Sequence, residues 1–345
     1  MTDPSPDGRL VDSFDLVIFD LDGVIYLVDR PIGTAVAAVG RLHAEGKPLA
    51  YATNNASRRA AEVAALVSGM GLSIRPDEVL TSAAAAAEVL ADRFPSDSPV
   101  LVVGAEALRA EVHAVGLRPV TRVEDAPVAV VQGYGPQVGW VDLAEAALAV
   151  QAGAEWIVTN TDRTLPTPRG PVPGNGSLVA ALRTALGRDP DVVVGKPGPA
   201  LFSAAAHRAG ANRPLVVGDR LDTDIEGAVR AGMESLLVLT GVTAPVDLLH
   251  APPPARPTYV ADDLTGLFDA ERVARLPDRA RPDPADADGW RVTGDGAEVL
   301  LTGTGSSLSA LRALCAAAWS GRPVTDIQPG SEPARSVLRD LGLLP

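Results

Sequence analysis

The sequence contains a single cysteine, Cys315, so no disulfide can form within the chain. One cysteine is typical of a protein in a reducing compartment, and the Ala and Leu neighbours of Cys315 at helical spacing predict a core residue rather than a nucleophile. The polar N-terminal stretch lacks the apolar segment of a signal peptide. No apolar run approaches the roughly 20 residues of a membrane span. We therefore predict a cytoplasmic protein without a membrane partner.

Positive charge is also scarce. The formal net charge is −13 and the pI is near 4.8, which argues against nucleic acid or an anionic membrane surface as the main partner. An acidic protein that binds an anion must supply local positive charge from a metal ion or a few placed cations. Lysine occurs only at Lys47 and Lys196 among 30 basic residues. Lys196 follows the apolar run 192–194 and is a candidate for such a site, whereas Lys47, at a helix end, is predicted to be solvated.

Two carboxylates follow the first predicted strand. Residues 16–19, Leu-Val-Ile-Phe, predict a strand buried on both faces, and Asp20-Leu21-Asp22-Gly23 comes directly after it. Residues i and i+2 of an extended chain point to the same side, so Asp20 and Asp22 are predicted to share one face at the strand end, where open α/β sheets bind ligands. Two acids this close repel unless a cation or proton lies with them, which predicts a metal site. An ordinary Asp-Gly turn is the alternative.

Other predicted strands also end in polar residues. The strand at 49–52 is followed by Thr53, Asn54 and Asn55. Their hydroxyl and amides suit either phosphate binding, with Asn54 holding the site in register, or the cap of the next helix. The strand at 215–218 is followed by Asp219 and Asp224. Strands alternate with helices along most of the chain. This pattern predicts an α/β fold with a doubly wound parallel, Rossmann-like sheet.

Motif spacing predicts how the chain is divided. Only one βα step separates Asp22 from Thr53, whereas 143 positions separate Thr53 from Lys196, enough for an inserted domain. Around residue 295, a turn between two short apolar runs predicts a hairpin, and a helix is predicted at about 307–319. We predict a disordered tail at 1–12, a core formed by 13–84 and 181–270, an inserted α/β cap at 85–180, a linker at 271–289, and a small C-terminal α+β unit at 290–345 that docks on the rest.

Four motifs occur in this order: Asp20-x-Asp22-Gly23, Thr53-Asn54-Asn55, Gly195-Lys196-Pro197 and Gly218-Asp219-x-x-x-x-Asp224. Together they resemble the motifs of the haloacid dehalogenase superfamily of phosphatases, over about residues 14–270. The insertion resembles the type IIA cap of the p-nitrophenyl phosphate, phosphoglycolate and glycerol-3-phosphate phosphatases. Thr159-Asn160-x-Asp162 and Pro173-Gly174-x-Gly176 match that group too. The C-terminal unit faintly resembles part of an acetyltransferase fold, in which the loop 303–306 would hold the pyrophosphate of coenzyme A.

The resemblance implies a Mg²⁺-dependent phosphatase that forms an aspartyl phosphate. Asp20 would be the nucleophile, and Asp22 would protonate the leaving group and then activate water. Asp20, the backbone carbonyl of Asp22, and Asp219 would hold Mg²⁺, with Asp224 orienting these ligands. The remaining motif residues would bind the phosphate: Thr53, Asn54, Asn55 and Lys196.

The favoured substrate that the resemblance implies is glycerol 3-phosphate. Phosphoglycolate, or a broad range of sugar phosphates and p-nitrophenyl phosphate, is the alternative. Two other functional classes stay open, a phosphate-binding sensor and an acyltransferase that uses the C-terminal unit. The partner is expected to be a small phosphate monoester rather than nucleic acid, and a homo-oligomer is left open.

Overall fold

The computed structural model describes residues 8–28, 30–165, 169–277, 286–294, 296–321 and 324–344. The chain packs as two compact units, Met1–Leu49 with Ala211–Pro345, and Ala50–Gly210. The strands are β1 (Leu16–Phe19), β2 (Tyr26–Leu27), β3 (Arg30–Pro31), β4 (Leu49–Thr53), β5 (Val79–Thr81), β6 (Pro99–Val103), β7 (Arg118–Val120), β8 (Ala129–Gln132), β9 (Glu155–Val158), β10 (Thr164–Leu165), β11 (Val172–Pro173), β12 (Val192–Val193), β13 (Pro214–Gly218), β14 (Glu234–Val238), β15 (Tyr259–Ala261), β16 (Val273–Arg275), β17 (Asp286–Ala287), β18 (Trp290–Thr293), β19 (Glu298–Gly303) and β20 (Asp326–Pro329).

The helices alternate with these strands, as the sequence pattern predicts. They are α1 (Gly33–Ala44), α2 (Ala60–Ser68), α3 (Ser82–Arg93), α4 (Glu106–Ala114), α5 (Trp140–Gln151), α6 (Asn175–Leu186), α7 (Ala200–Ala209), α8 (Glu226–Arg230), α9 (Pro245–Leu249), α10 (Ser307–Trp319) and α11 (Glu332–Asp340). Within the described ranges, no helix is both long and apolar enough to cross a membrane.

The first unit is built on a parallel sheet. Its strands lie in the order β16-β15-β14-β13-β1, and only the edge strand β16 runs antiparallel to its neighbour. Every residue of β1 is buried, as expected for a parallel strand that is covered on both faces. The predicted α/β fold with a Rossmann-like core sheet is therefore confirmed.

The C-terminal part of this unit has its own small sheet, β17-β18-β19-β20. The predicted hairpin is present, with Trp290 of β18 opposite Gly303 of β19, and the predicted helix is α10. Apolar side chains of α10 and α11 share one buried cluster with α9 and β15, so this part docks on the core sheet as predicted. Cys315 lies fully buried in that cluster, and burial raises the pKa of its thiol well above the usual range, which confirms it as a core residue.

The second unit contains the short parallel pair β4-β5 and a five-stranded sheet in the order β12-β9-β8-β6-β7, parallel throughout. Strands β6, β8 and β9 alternate with helices α4, α5 and α6 in this part of the chain, as expected for an inserted α/β domain. Its core packs around the fully buried Trp156, whose indole N–H donates to the side-chain oxygen of Gln132 at 3.1 Å.

Three local predictions need correction. Residues 10–12 are not a disordered tail, because Leu10–Ser13 forms a 3₁₀ turn with Leu10 and Val11 buried, while residues 1–7 lie outside the described residues. The linker prediction is wrong at Val273–Arg275, which forms β16 at the sheet edge. The strand before Lys196 was expected in the core, but β12 pairs with β9 of the inserted sheet. The core and cap borders at 84/85 and 180/181 stay predictions.

Candidate active site

Three carboxylates converge in the first unit. Asp20 follows β1 and its backbone N–H donates to Val217 O of the neighbouring strand β13 at 2.9 Å. Asp219 follows β13, and Asp224 lies in the π-helical turn Leu221–Ile225. Side-chain oxygens of Asp20, Asp219 and Asp224 all lie within 4.8 Å of one another. The register of two parallel strands therefore brings together acids that are about 200 positions apart in the chain.

Glycines and backbone N–H groups hold these carboxylates. A Cβ on Gly23, which has φ +90°, would lie 2.3 Å from Asp219 Oδ2, and one on Gly218 would lie 2.2 Å from Asp224 Cβ. The backbone N–H of Arg220 donates to Asp224 Oδ2 at 3.1 Å. The absence of side chains at these glycines is what allows Asp219 and Asp224 to be almost fully buried.

The donor set fits a hard divalent cation. Clustered carboxylates repel one another in a poorly solvated site, and a cation with a preference for oxygen removes that repulsion. Mg²⁺ and Ca²⁺ prefer such ligands, whereas Zn²⁺ favours imidazole and thiolate. Asp20 and Asp219 could hold Mg²⁺ through their side-chain oxygens, with the Asp224 carboxylate beside them.

Asp22 is placed differently from the three clustered acids. Strand β1 ends at Phe19, and Asp22 lies in the turn that follows, where its side chain is exposed and Oδ1 accepts from Val28 N at 3.4 Å. Its side chain is not a member of the carboxylate group. This position suits a proton donor that faces solvent, and the proposed use of its backbone carbonyl as a metal ligand stays a prediction.

A second group of predicted residues meets in the other unit, around Asn54. Its side-chain Oδ1 accepts from Lys196 N at 2.8 Å, and its Nδ2 donates to Lys196 O and to Asp162 Oδ1, both at 3.1 Å. The side chain of Lys196 is buried, and its Nζ donates to Ala52 O at 3.2 Å. Gly195 is required here, because a Cβ would lie 2.6 Å from Asn54 Oδ1.

These contacts define the surroundings of Asn54. Its amide donates to Lys196 O and Asp162 Oδ1, so the side chain holds Lys196 in place, which agrees with the predicted role of Asn54 in keeping the site in register. Direct phosphate binding by Asn54 stays a prediction. Asn55 differs from Asn54, since its Oδ1 accepts from the N–H and hydroxyl of Ser57 at 2.8 Å each and these bonds do not use its amide hydrogens. The Thr53 hydroxyl oxygen accepts from Asn55 N at 3.2 Å, which leaves the hydroxyl proton for another acceptor.

The sequence prediction missed part of the network behind Asn54. The Asn160 side chain donates to Asn54 O at 2.7 Å, and Asn175 donates to Asn160 O at 2.7 Å. Asp162, a residue of the first cap motif, accepts from Asn54. Both asparagines lie within the two cap motifs, so the sequence does indicate that they belong to the site. The motifs do not show which groups form hydrogen bonds with their amides.

The chain matches known protein families. Residues 17–118 match the haloacid dehalogenase-like hydrolases, and residues 193–267 match a second family of that kind. The chain is 45% identical to the D-glycerol 3-phosphate phosphatase of Mycobacterium tuberculosis, over 96% of this chain and 94% of the relative. This chain belongs to the haloacid dehalogenase-like hydrolases.

Solved structures of other such hydrolases agree. A crystal structure of a glycerol phosphate phosphatase from Mycobacterium tuberculosis in complex with magnesium superposes with a TM-score of 0.89 at 45% identity, over 97% of this chain and 99% of that one. The p-nitrophenyl phosphatase from Archaeoglobus fulgidus gives a TM-score of 0.68 at 32% identity, over 74% and 99% of the two chains. Residues 287–343 match a GCN5-related N-acetyltransferase-like domain. The family predicted for the core and the weaker resemblance of the C-terminal unit are both confirmed, and this hydrolase is an enzyme.

Proposed function

We propose that this hydrolase removes the phosphate from glycerol 3-phosphate with the help of Mg²⁺. The observation that carries the proposal is the 45% identity to a D-glycerol 3-phosphate phosphatase across both the catalytic region and the C-terminal domain. The p-nitrophenyl phosphatase, in contrast, covers 74% of this chain. The proposed cation is supported by the buried carboxylate group and by the magnesium in the related crystal structure.

The first half-reaction forms a covalent intermediate on Asp20. Its carboxylate oxygen attacks phosphorus in line, and the bond between phosphorus and the glycerol oxygen breaks. Asp22 gives its proton to the departing glycerol oxygen. The products are glycerol and an aspartyl phosphate. The exposure of Asp22 supports this role, because the water of the second half-reaction must reach this carboxyl group.

In the second half-reaction, Asp22 takes a proton from water as the water oxygen attacks phosphorus. The bond between phosphorus and Asp20 then breaks, which releases inorganic phosphate and restores both carboxyl groups. Mg²⁺ held by Asp20, Asp219 and the Asp22 carbonyl would supply positive charge that offsets the repulsion between a carboxylate nucleophile and an anionic phosphate. Asp224 would orient these ligands.

Lys196 and Thr53 are the proposed phosphate-binding side chains. Lys196 would offset the charge on the phosphoryl oxygens, and its burial strengthens that interaction because little water screens it. Thr53 would donate its hydroxyl proton, which the Asn55 contact leaves available. Asn55 would contribute through its side-chain amide, whereas Asn54 acts through Lys196.

An acyltransferase activity has one observation in its favour, the match of residues 287–343 to an acetyltransferase-like domain. The loop 303–306 is largely occupied with local structure, since Ser306 caps α10 by accepting from Ser309 N at 3.1 Å, and Trp290 Nε1 donates to Ser306 O at 3.1 Å. Calorimetric titration of the full chain with coenzyme A tests this alternative directly.

The location and assembly of the enzyme also belong to the proposal. We propose action in the cytoplasm, which the single, buried and unpaired cysteine supports. The expected absence of nucleic-acid binding and the open homo-oligomer stay predictions that electrophoretic mobility and light scattering can check.

The decisive experiment is a panel of phosphate monoesters assayed with and without Mg²⁺. The panel contains both enantiomers of glycerol 3-phosphate, 2-phosphoglycolate, a hexose phosphate, p-nitrophenyl phosphate and a phosphopeptide. We expect the highest kcat/KM for a glycerol 3-phosphate enantiomer and no turnover in chelator. A higher kcat/KM for phosphoglycolate or a hexose phosphate would show that glycerol 3-phosphate is not the preferred substrate. Turnover that persists in chelator would show that the reaction does not require Mg²⁺.

A further inference from the structure

Residues 240–243, here called the clamp segment, make hydrogen bonds both to the loop after β1 and to Asp219. Thr240 Oγ1 donates to Gly23 O at 2.6 Å, in the loop that carries Asp20 and Asp22. Two residues later, Val242 N donates to Asp219 Oδ2 at 2.7 Å, and Thr243 N donates to Asp219 O at 3.2 Å. One short segment therefore fixes Asp219 and ties it to the loop of the proposed nucleophile.

Gly241 lies against the same carboxylate. A Cβ at this position would lie 2.0 Å from Asp219 Oδ2 and 2.7 Å from Asp219 Cβ. No side chain can occupy that space unless Asp219 moves. The orientation of the Asp219 carboxylate is thus set by the clamp segment from two directions, by a hydrogen bond and by close packing.

Within the clamp segment the Val242 side chain is 67% exposed. The segment leads directly into α9, whose N-cap residue Ala244 donates its N–H to Asp247 Oδ2 at 2.9 Å. The backbone oxygen of Leu248 in α9 accepts from Trp319 Nε1 of α10 at 3.2 Å, and Leu248 and Leu249 lie in the buried cluster that α10 completes. Arg256 packs over the Trp319 ring, 4.7 Å from its centre.

We propose that the clamp segment positions Asp219 for cation binding and that the C-terminal domain supports the segment through the contact of α10 with α9. The C-terminal domain would then contribute to phosphate hydrolysis without binding substrate. Residues 240–243 and Trp319 are positioning residues in this scheme. The inference rests on the proposed function in one respect, the assignment of Asp219 as a cation ligand.

Titration calorimetry of the full-length protein with Mg²⁺ alone tests the first step. Gly241→Ala should raise the Kd for Mg²⁺ at least about ten-fold, because the new methyl group displaces the carboxylate. Gly40→Ala, in α1, is the matched control, since a Cβ there meets nothing within 4 Å. Thr240→Val should raise the Kd about five-fold, the equivalent of one hydrogen bond, and Thr240→Ser should restore it. Unchanged Mg²⁺ affinity in Gly241→Ala and Thr240→Val would overturn the inference.

Trp319→Phe tests the contribution of the C-terminal domain, because it removes the N–H that bonds Leu248 and keeps an aromatic ring beside Arg256. We expect the Kd for Mg²⁺ to rise about three-fold, a fraction of the effect of one hydrogen bond transmitted through α9. Trp140→Phe, a change at a side chain 81% exposed in α5, is the matched control and should leave the Kd unchanged. Equal Mg²⁺ affinity in the two tryptophan variants would show that the C-terminal domain does not contribute to cation binding.

The two levels of failure are distinguishable. Asp219→Asn should abolish Mg²⁺ binding if Asp219 is a ligand, and retained affinity in that variant would reject the cation site that the proposed function assigns to Asp219. Loss of binding in Asp219→Asn, together with normal binding in Gly241→Ala, would reject only the clamp. Melting temperatures measured in chelator show whether a variant has lost its fold instead.

Discussion

The side-chain amide of Asn54 spans the backbone of Lys196, accepting from its N–H at 2.8 Å and donating to its carbonyl at 3.1 Å, across 142 positions of sequence. This pairing resembles one rung of a β-ladder, with a side chain in place of one strand. It fixes the peptide that carries the buried ammonium. The same amide reaches Asp162, so one asparagine connects three separate motifs.

Replacement of Asn54 should therefore reduce activity through Lys196. Asn54→Ala removes the two side-chain hydrogen bonds to the N–H and carbonyl of Lys196, at a cost of about 1–3 kcal/mol of unfolding free energy. We expect kcat/KM to fall at least about ten-fold. Asn54→Asp should be worse at neutral pH, because it places a second carboxylate 3.1 Å from Asp162 Oδ1. Asn212→Ala is the control, since Asn212 is exposed and its bond to Asp15 uses the backbone N–H. Full activity in Asn54→Asp would contradict the positioning role.

Asp20→Asn should abolish turnover while the fold persists. An amide of the same shape cannot attack phosphorus, so we expect kcat to fall by at least about three orders of magnitude. The melting temperature should stay within a few degrees of the wild-type value. Asp222→Asn serves as the control, because this exposed acid pairs with Arg220 at the surface, at 3.0 Å, where an ion pair contributes little. Substantial residual turnover in Asp20→Asn would refute the nucleophile assignment.

Magnesium should stabilise the fold as well as the reaction. A cation bound among three clustered carboxylates removes their mutual repulsion, and at a concentration of about 100 times Kd it adds about 2.7 kcal/mol to the unfolding free energy. Calorimetric melts should therefore shift upward with Mg²⁺ and downward with chelator. Asp219→Asn should lose this shift. A shift of the same size in that variant would show that the cation binds elsewhere.

The pH dependence of stability has a defined contribution from Glu145. A backbone hydrogen bond from Val123 N at 2.9 Å, together with Arg122 at 3.1 Å, lowers the pKa of this carboxyl below its ordinary value of 4.5. Because the pKa is lower in the folded state, Glu145 stabilises the fold above pH 4.5 and loses this effect as the pH falls through the folded-state pKa.

Glu145→Gln should accordingly lower the melting temperature at pH 7, and the difference from wild type should shrink as the pH falls below 4.5. Glu106→Gln is the matched control, because the Glu106 side chain is 84% exposed and its nearest cation, Arg109, lies 3.7 Å away. A pH-independent difference between Glu145→Gln and wild type would mean that packing, not charge, explains the effect.

The sequence by itself determined much of this protein. Buried strands such as β1 are visible as unbroken apolar runs, and acids placed directly after β1 and β13 had to lie at the same edge of a parallel sheet. That these two strands are neighbours comes from the tertiary structure. Local patterns of this kind depend on residues close together in the chain. The hairpin β18–β19 and the helix α10 were predictable for the same reason.

Only the tertiary structure decided which polar groups form hydrogen bonds with one another. Strand β12 was assigned to the core because its sequence is a short apolar run that suits any parallel sheet, and pairing with β9 is settled by long-range register. The amide of Asn54 suits a phosphate oxygen or a peptide equally well. Gly241 and Val242 carry no chemical signal, yet they hold Asp219, because backbone N–H direction and free space arise only when distant segments pack together.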